Sequence, residues 1–440
     1  MTRTRGVFLV VGIVLVLLLA SPFIVLGIWT LLARHRLDLA IADLRAKGEP
    51  TTLAEMLAPL IPEDTDAVTL YRKAWTLLEQ VDFDTSQRIR ELAKPDAVLS
   101  PDDVAEVRAF VRSCSQILDL LRQGSLRPAC SCPRNPVPGK PGLSTPVTAG
   151  LHGSARLLVL SSRVNLADGR ADLAFDDCLT VLRLPVGLHD DPLVISALTE
   201  SYINIVALTQ MRSVLGTSSP SADRLRAALP LLEKAAAPGR IARALRGERC
   251  FAIATADVLP TDSDFSNLLG ESKPAFYRRP FLRARAVDTV AAQLPYLGQL
   301  ISVAELPWYQ AKPRIDELAA RVPQEEDELT GFLGMHFFDI MTGAVSGWNS
   351  NLARLHLART AVALRLYRVK NGTYPDSLAS LVPDFLDKLP ADPFSGNDFV
   401  YRTEGPGFIL YSLGPNLTDD GGSEDPKARD QGDIVWRCSR

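Results

Sequence analysis

The stretch that decides the fold is ARLLVLSSRVNLADGRADLAFDDCLTVLRL, residues 155–184. Apolar residues recur in it at helical spacing on both sides of a small, polar break at Asp168-Gly169-Arg170. Each half predicts a helix with one apolar face, and two such helices joined by so short a break form an αα-hairpin. Because each apolar face must be covered by the other helix or by a neighbour, this stretch predicts a helical core.

The helical period continues on both sides of this hairpin, from about residue 38 to residue 370. Between Ser100 and Gly124, apolar residues recur at steps of three and four, with cap residues at both ends, so one helix is predicted there. A further helix fits residues 190–215, with Asp191 as its cap and Pro192 at its first position. The proline-rich segment 124–150 interrupts the body and predicts a loop, because proline lacks the backbone donor that a helix needs.

Length and composition set the broad class. At 440 residues the chain is long enough for several folding units. Its 48 basic and 51 acidic residues give a formal charge of -3, which does not favour nucleic acid as a partner. Six cysteines are too few for a disulfide scaffold; Cys114 and Cys178 are expected in the core, and Cys130 or Cys132 is a candidate for one bridge.

The N-terminal segment is the most apolar part of the chain. Residues 7–32, VFLVVGIVLVLLLASPFIVLGIWTLL, contain no charged side chain. A helix of this length reaches about 39 Å, more than the hydrocarbon core of about 30 Å. A transmembrane helix in contact with the lipid bilayer is therefore predicted. A cleaved signal peptide is the alternative, and the apolar run is longer than such peptides usually carry.

The period changes near the C-terminus. Short β-prone runs at 399–401 and 408–413 are joined by Glu404-Gly405-Pro406-Gly407, and residues 434–436 supply a third strand. A small antiparallel sheet is predicted, with the loop GPNLTDDGGSEDPKARDQGD, residues 414–433, between its last two strands.

The loop is strongly acidic. Between Asp419 and Asp433 it carries six acidic residues against two basic ones, and these charges repel one another unless a cation offsets them. Ca²⁺ suits such a loop because it accepts six to eight oxygen ligands in flexible geometry. The alternative is an acidic tail that stays solvated and disordered.

Residues 350–437 resemble the globular end of the major pseudopilin of type II secretion systems. The resemblance is carried by LRLYRVKNGTYPDSLASL, LPADPFSG, YRTEGPGFILYSLGPN and GDIVW, read together. In that family the loop between the last strands binds calcium. The resemblance places Asn416 and Asp433 on positions with acidic residues in the family and makes Leu413 a carbonyl donor. With the acidic residues of the loop itself, the predicted metal ligands are Leu413, Asn416, Asp419, Asp420, Asp425 and Asp433.

The predicted fold class is mostly α, with three regions: an N-terminal membrane anchor at 1–36, a helical αα-hairpin body at 37–345, and a small α+β module at 346–440. The apolar segment predicts a single-pass protein of the bacterial inner (cytoplasmic) membrane. The resemblance implies that its bulk is extracytoplasmic, because the related modules face outward.

No catalytic motif is present, so the protein is not expected to be an enzyme. The only tight cluster of histidine and acid is His189-Asp190-Asp191, whose aspartates already fit a helix start; His336 lies in an apolar run typical of a core residue. The expected function is a membrane-anchored scaffold that binds a protein partner and carries a calcium-stabilised module. The alternatives are a component of a type II secretion or pilus-like assembly, and an unrecognised hydrolase.

Overall fold

The computed structural model describes residues 2–57, 61–81, 83–94, 97, 99–131, 146–256, 279–321, 337–423 and 432–439. Helices make up most of this part of the chain. Their bounds are α1 Thr2–Ala46, α2 Val68–Leu78, α3 Phe83–Leu92, α4 Pro101–Ser113, α5 Ser115–Ser125, α6 Pro146–Ala167, α7 Ala171–Arg183, α8 Val186–His189, α9 Val194–Thr217, α10 Ala222–Ala235, α11 Arg240–Thr255, α12 Arg279–Ala304, α13 Trp308–Ala319 and α14 Phe337–Asn371. Short 3-10 helices lie at Leu53–Glu55 and Leu378–Leu381.

The αα-hairpin is where residues 155–184 predict it. The break between α6 and α7 contains Gly169 at φ +72°, a left-handed conformation that ends a helix readily. Ser162 in α6 donates a hydrogen bond to the carbonyl of Ala174 in α7 at 2.8 Å, and Phe175 of α7 is fully buried. The two helices therefore cover each other's apolar faces.

Two predicted helix boundaries are wrong. The helix expected from Ser100 to Gly124 is divided at Cys114 into α4 and α5. The capping box at Ser100 is present, but Val107 of α4 packs with Leu160 while Leu121 of α5 enters the main core. The two halves place these buried residues in different clusters.

The start of α9 also differs from the expectation. It begins at Val194 rather than at Asp191-Pro192. The backbone amide of Val194 donates to Glu248 of α11 at 2.9 Å, so a residue far along the chain supplies the hydrogen-bond acceptor at this helix start. Asp191 instead accepts a hydrogen bond from the Ser196 side chain.

The centre of the fold is built on α9 and α14. Both are long and largely buried, and α14 also packs against α10. The core formed around them continues without interruption into the C-terminal sheet. Arg212 of α9 donates to the carbonyl of Val435 at 3.3 Å, and the Cys438 thiol contacts the carbonyl of Leu215 at 3.6 Å. The predicted division at residue 345 falls inside α14.

The C-terminal sheet is antiparallel, with strand order β1-β2-β3. Its strands are β1 Val400–Glu404, β2 Gly407–Ser412 and β3 Ile434–Cys438. A two-residue turn at Gly405-Pro406 joins β1 to β2 and sets the pair Glu404↔Gly407. All six residues of β2 are buried, because it is the central strand and α14 packs against it.

The predicted transmembrane helix at residues 7–32 is wrong. Among the helices of the described residues, none is both long enough and apolar enough to cross a membrane. The predicted single-pass inner-membrane localisation is wrong for the same reason.

The second half of α1 instead packs along α12. Ala33 and Leu37 are buried against a small cluster that includes Val290. Trp29 donates from Nε1 to Asp288 at 3.0 Å, and Arg36 pairs with the same carboxylate at 2.8 Å.

Candidate functional site

The loop between β2 and β3 is held closed at its two ends. Gly414 has φ +68°, and a Cβ placed on it would lie 2.0 Å from the carbonyl oxygen of Gly432. Only glycine permits both the left-handed backbone and this close approach. The two ends of the acidic loop are therefore in contact directly beside β2 and β3.

Asp392 secures the chain that enters the loop. Its buried carboxylate accepts hydrogen bonds from Ser412 Oγ at 2.6 Å and from the Leu413 amide at 3.3 Å. It also accepts from the Phe394 amide at 3.0 Å and from Ser395 Oγ at 2.9 Å. Four donors occupy this carboxylate, so Asp392 positions Leu413.

Asp433 is the buried acid of the loop. It is 9% exposed, and its Oδ2 accepts a hydrogen bond from the Gly422 amide at 2.7 Å. Its Oδ1 is buried and has no hydrogen-bond partner among the described residues. Burial raises the pKa of Asp433, and the charges of Asp420 and Asp419 raise it further, against the lowering effect of backbone donors. The site therefore holds negative charge that its described neighbours do not fully satisfy.

Asp419 and Asp420 are the other two acids of the loop among the described residues. Asp419 accepts from the Tyr411 hydroxyl at 3.0 Å and from the Gly421 amide at 2.9 Å. Asp420 accepts from Asn416 Nδ2 at 3.0 Å. Burial raises the pKa of the Tyr411 phenol most, and the hydrogen bond and charge of Asp419 raise it further.

Four of the six predicted ligands, Asn416, Asp419, Asp420 and Asp433, are described in this loop; Asn416 bonds to Asp420, and the charges of Asp419 and Asp420 act on Asp433. Leu413, predicted to contribute its carbonyl, directs its amide to Asp392. Asp425 lies outside the described residues. Within those residues, no three acidic, histidine or cysteine side chains stand in an arrangement that could hold a metal ion. The buried, unpartnered oxygen of Asp433 is nevertheless the kind of ligand that Ca²⁺ takes.

Sequence reasoning did not assign a role to Asp392, although Asp392-Pro393 belongs to the motifs that carry the pseudopilin resemblance. The contact that explains it joins residues 20 positions apart, because Asp392 reaches Ser412 only after the sheet has formed. The signal available in the sequence was Asp392 before a proline together with Ser412 at the end of a predicted strand.

The histidine cluster forms a different set of contacts from the one its sequence suggests. His189 Nδ1 lies 3.5 Å from Glu200 of α9, whose carboxylate pairs with Arg240 at 2.9 Å. Both Glu200 and Arg240 are buried, and Arg240 also donates to the Leu188 carbonyl at 2.8 Å. This network joins α8, α9 and α11. The hydrolase prediction remains a prediction, and His336 lies outside the described residues.

The cysteines show no bridge within the described chain. Cys114 and Cys178 are buried and free, as expected for small core residues. Burial raises the pKa of Cys178 to about 12, so this thiol stays protonated at neutral pH. Cys132 lies outside the described residues, so the bridge expected at Cys130 or Cys132 stays a prediction.

Comparison of the chain with protein families, with curated proteins and with solved structures finds no match in any of the three.

Proposed function

We propose that residues 346–440 form a pseudopilin-like module whose acidic loop binds Ca²⁺, and that the helical body serves as a scaffold for a protein partner. The observation that carries the calcium site is the Asp433 carboxylate, which is nine-tenths buried with one oxygen unpartnered among the described residues. The same resemblance supports the alternative of a secretion or pilus-like component, which co-purification with secretion proteins would test.

Electrostatics favour a cation at this place. Asp419 and Asp420 both raise the pKa of Asp433, so like charges act on one buried carboxylate. Arg402 lies at the same loop, where it donates to the Gly421 carbonyl at 3.1 Å and pairs with Glu404 at 3.6 Å. Asp433, Asp419 and Asp420 would supply carboxylate oxygens, Asn416 an amide oxygen, and backbone carbonyls the remainder. When bound, the ion offsets part of the negative charge of the loop and ties β3 to the segment after β2.

Ca²⁺ fits this loop better than Mg²⁺. The loop turns through two left-handed glycines, Gly421 at φ +75° and Gly422 at φ +74°, and its oxygens come from a short, irregular segment. Ca²⁺ tolerates irregular geometry and varied ligand number, whereas Mg²⁺ requires a near-ideal octahedron.

The scaffold role is supported by a groove between the first hairpins of the body. It has a volume of about 570 Å³ and is bordered by α4, α5, α6 and α7. Arg122 crosses it to the buried Asp177 at 2.8 Å, and Arg108 pairs with Asp168 at 2.6 Å. Arg112 also lines it and has no carboxylate within 4.0 Å among the described residues. A peptide bearing an acidic side chain would find a cation there.

The decisive test is a thermal melt of the full chain with Ca²⁺, with Mg²⁺ and with chelator. At 100 times its Kd, calcium adds about 2.7 kcal/mol to the unit that contains the site. Asp433→Asn removes the charge at the buried oxygen and is expected to abolish the shift. Asp398→Asn, at an exposed aspartate of the same module, is the matched control and is expected to keep it.

Three results would count against the calcium site. They are the absence of a Ca²⁺-dependent shift in the wild-type protein, an equal shift with Mg²⁺, and an undiminished shift in Asp433→Asn.

A further inference from the structure

A second site lies in the helical body, far along the chain from the acidic loop. A cavity of about 370 Å³ opens between α2, α3, α4 and α6. Most of its wall is aliphatic or aromatic, and its lining includes Leu78, Ile89, Phe110, Leu160, His152 and Arg156. Its volume lies in the range of about 300–1,000 Å³ that small-molecule pockets occupy, and such pockets usually combine an apolar wall with few polar groups.

Two polar groups of this cavity stand together. His152 and Arg156 are four residues apart on α6, so they lie on the same face of that helix. The Nε2 atom of His152 is buried and has no hydrogen-bond partner in the described chain. Its ring packs edge-on against Tyr202, with the ring centres 4.6 Å apart. A buried ring nitrogen without a partner is uncommon in folded proteins, where such groups are normally satisfied.

Arg156 carries the charge of this cavity, since the other described residues that line it are apolar or neutral. Its Nη2 donates to the Tyr202 hydroxyl at 3.3 Å. Within the part of the chain that the structure describes, no carboxylate lies within 4.0 Å of it. Burial, together with the charge of Arg156, lowers the pKa of His152, so the imidazole is neutral at neutral pH. The described polar groups of the cavity therefore carry one net positive charge.

The wall of the cavity is held rigidly. A Cβ at Gly153 would lie 2.8 Å from Leu78 Cδ2, and one at Gly150 would lie 2.3 Å from the ring of Trp75. Trp75 Nε1 donates to Ser154 Oγ at 3.0 Å. Close approach of α2 to α6 at these glycines, fixed by a buried hydrogen bond, gives the cavity a defined shape.

We propose that this cavity binds a small amphipathic monocarboxylate, with its carboxylate on Arg156 and His152 and its apolar body against Ile89, Phe110 and Leu160. A guanidinium offers two parallel N–H donors that match the two oxygens of a carboxylate. A neutral imidazole can donate a third hydrogen bond to the carboxylate, or accept one from the protonated carboxylic acid. The single positive charge matches a ligand with one carboxylate. A small inorganic anion would make no apolar contacts with the wall of the cavity. This site does not depend on the proposed calcium loop.

Decanoate and decanol are the probes, titrated calorimetrically into the full chain. The wild-type protein is expected to bind decanoate more tightly than decanol. Arg156→Gln is expected to weaken decanoate about 10- to 100-fold, the range of a hydrogen bond to a charged group, and to leave decanol unchanged. Arg226→Gln, at an exposed arginine of α10 paired with Asp223, is the matched control and should bind like the wild type.

A second variant tests the location of the site. Ala149 is exposed and lines the cavity, so Ala149→Phe is expected to exclude both probes while leaving the core untouched. The proposal is overturned if calorimetry shows no binding of decanoate to the wild-type protein with a Kd of about 1 mM or lower. It is equally overturned if Arg156→Gln binds decanoate as the wild type does, or if Ala149→Phe changes neither affinity. If Arg156→Gln does not fold, Arg156→Lys replaces it and is expected to weaken decanoate by a smaller factor.

Discussion

The closure of the acidic loop can be tested with a pair of glycines. Gly405 and Gly414 both have positive φ, at +56° and +68°. A Cβ at Gly405 meets nothing within 4 Å, whereas one at Gly414 lies 2.0 Å from the carbonyl oxygen of Gly432. Replacing each glycine with alanine therefore applies the same backbone penalty at both positions and adds a steric clash at only one.

The two variants are expected to lose different amounts of stability, because only Gly414→Ala adds a steric clash. A left-handed backbone costs an alanine about 1–2 kcal/mol, so Gly405→Ala should lose about that amount. In Gly414→Ala, the Gly432 carbonyl must also move by about 1 Å or more, and overpacking of this kind costs about 1–3 kcal/mol. The total for Gly414→Ala is then about 2–5 kcal/mol. The stabilising effect of alanine on the unfolded chain is common to both variants and cancels in the comparison.

Native-state hydrogen exchange of the β2 amides, Gly407–Ser412, measures these losses directly in the sheet that the loop closes. The opening free energy should fall further in Gly414→Ala than in Gly405→Ala. Equal losses in the two variants would refute the contact between the ends of the loop, and with it the placement of Asp433 beside β2.

Two further predictions concern buried charges. Glu200→Gln removes the charged partner of the fully buried Arg240 and should reduce the free energy of unfolding, measured by urea titration, by about 3–5 kcal/mol. The control Asp223→Asn breaks an exposed ion pair and should reduce it by less than about 1 kcal/mol. Similar losses in the two variants would contradict a buried ion pair. With chelator present, the raised pKa of Asp433 means that the folded state binds this proton more tightly than the unfolded chain, so stability is present at low pH and is lost as the pH rises through that raised pKa. Hydrogen exchange of β3 should show this fall above the ordinary aspartate range in the wild type and a flatter profile in Asp433→Asn; identical profiles would show that Asp433 is not the titrating group.

Local signals in the sequence predicted the elements that depend on neighbouring residues. The helix cap at Ser100, the break at Gly169 and the turn at Gly405-Pro406 all lie where the sequence places them. Each depends on contacts within a few residues, or on a backbone conformation that one residue type favours. The acidic loop was identified in the same way, because its composition is local.

The errors came from contacts that no local pattern records. A charge-free run indicated a membrane span, yet the helix that contains it continues to Ala46 and packs along α12. A continuous apolar stripe indicated one helix from Ser100 to Gly124, yet its halves face two clusters. Hydropathy and periodicity describe a helix by itself and do not state which surface it covers.

The sequence by itself therefore determined that this chain is largely helical, that its period changes after Asn371, and that an acidic loop lies between its last two strands. Tertiary structure alone decided that Asp433 is buried with one oxygen unpartnered among the described residues, that Glu200 meets Arg240, and that His152 and Arg156 border an apolar cavity. The physical reason is that burial and charge pairing depend on distances across the fold, between residues that the chain brings together only when its helices and strands pack.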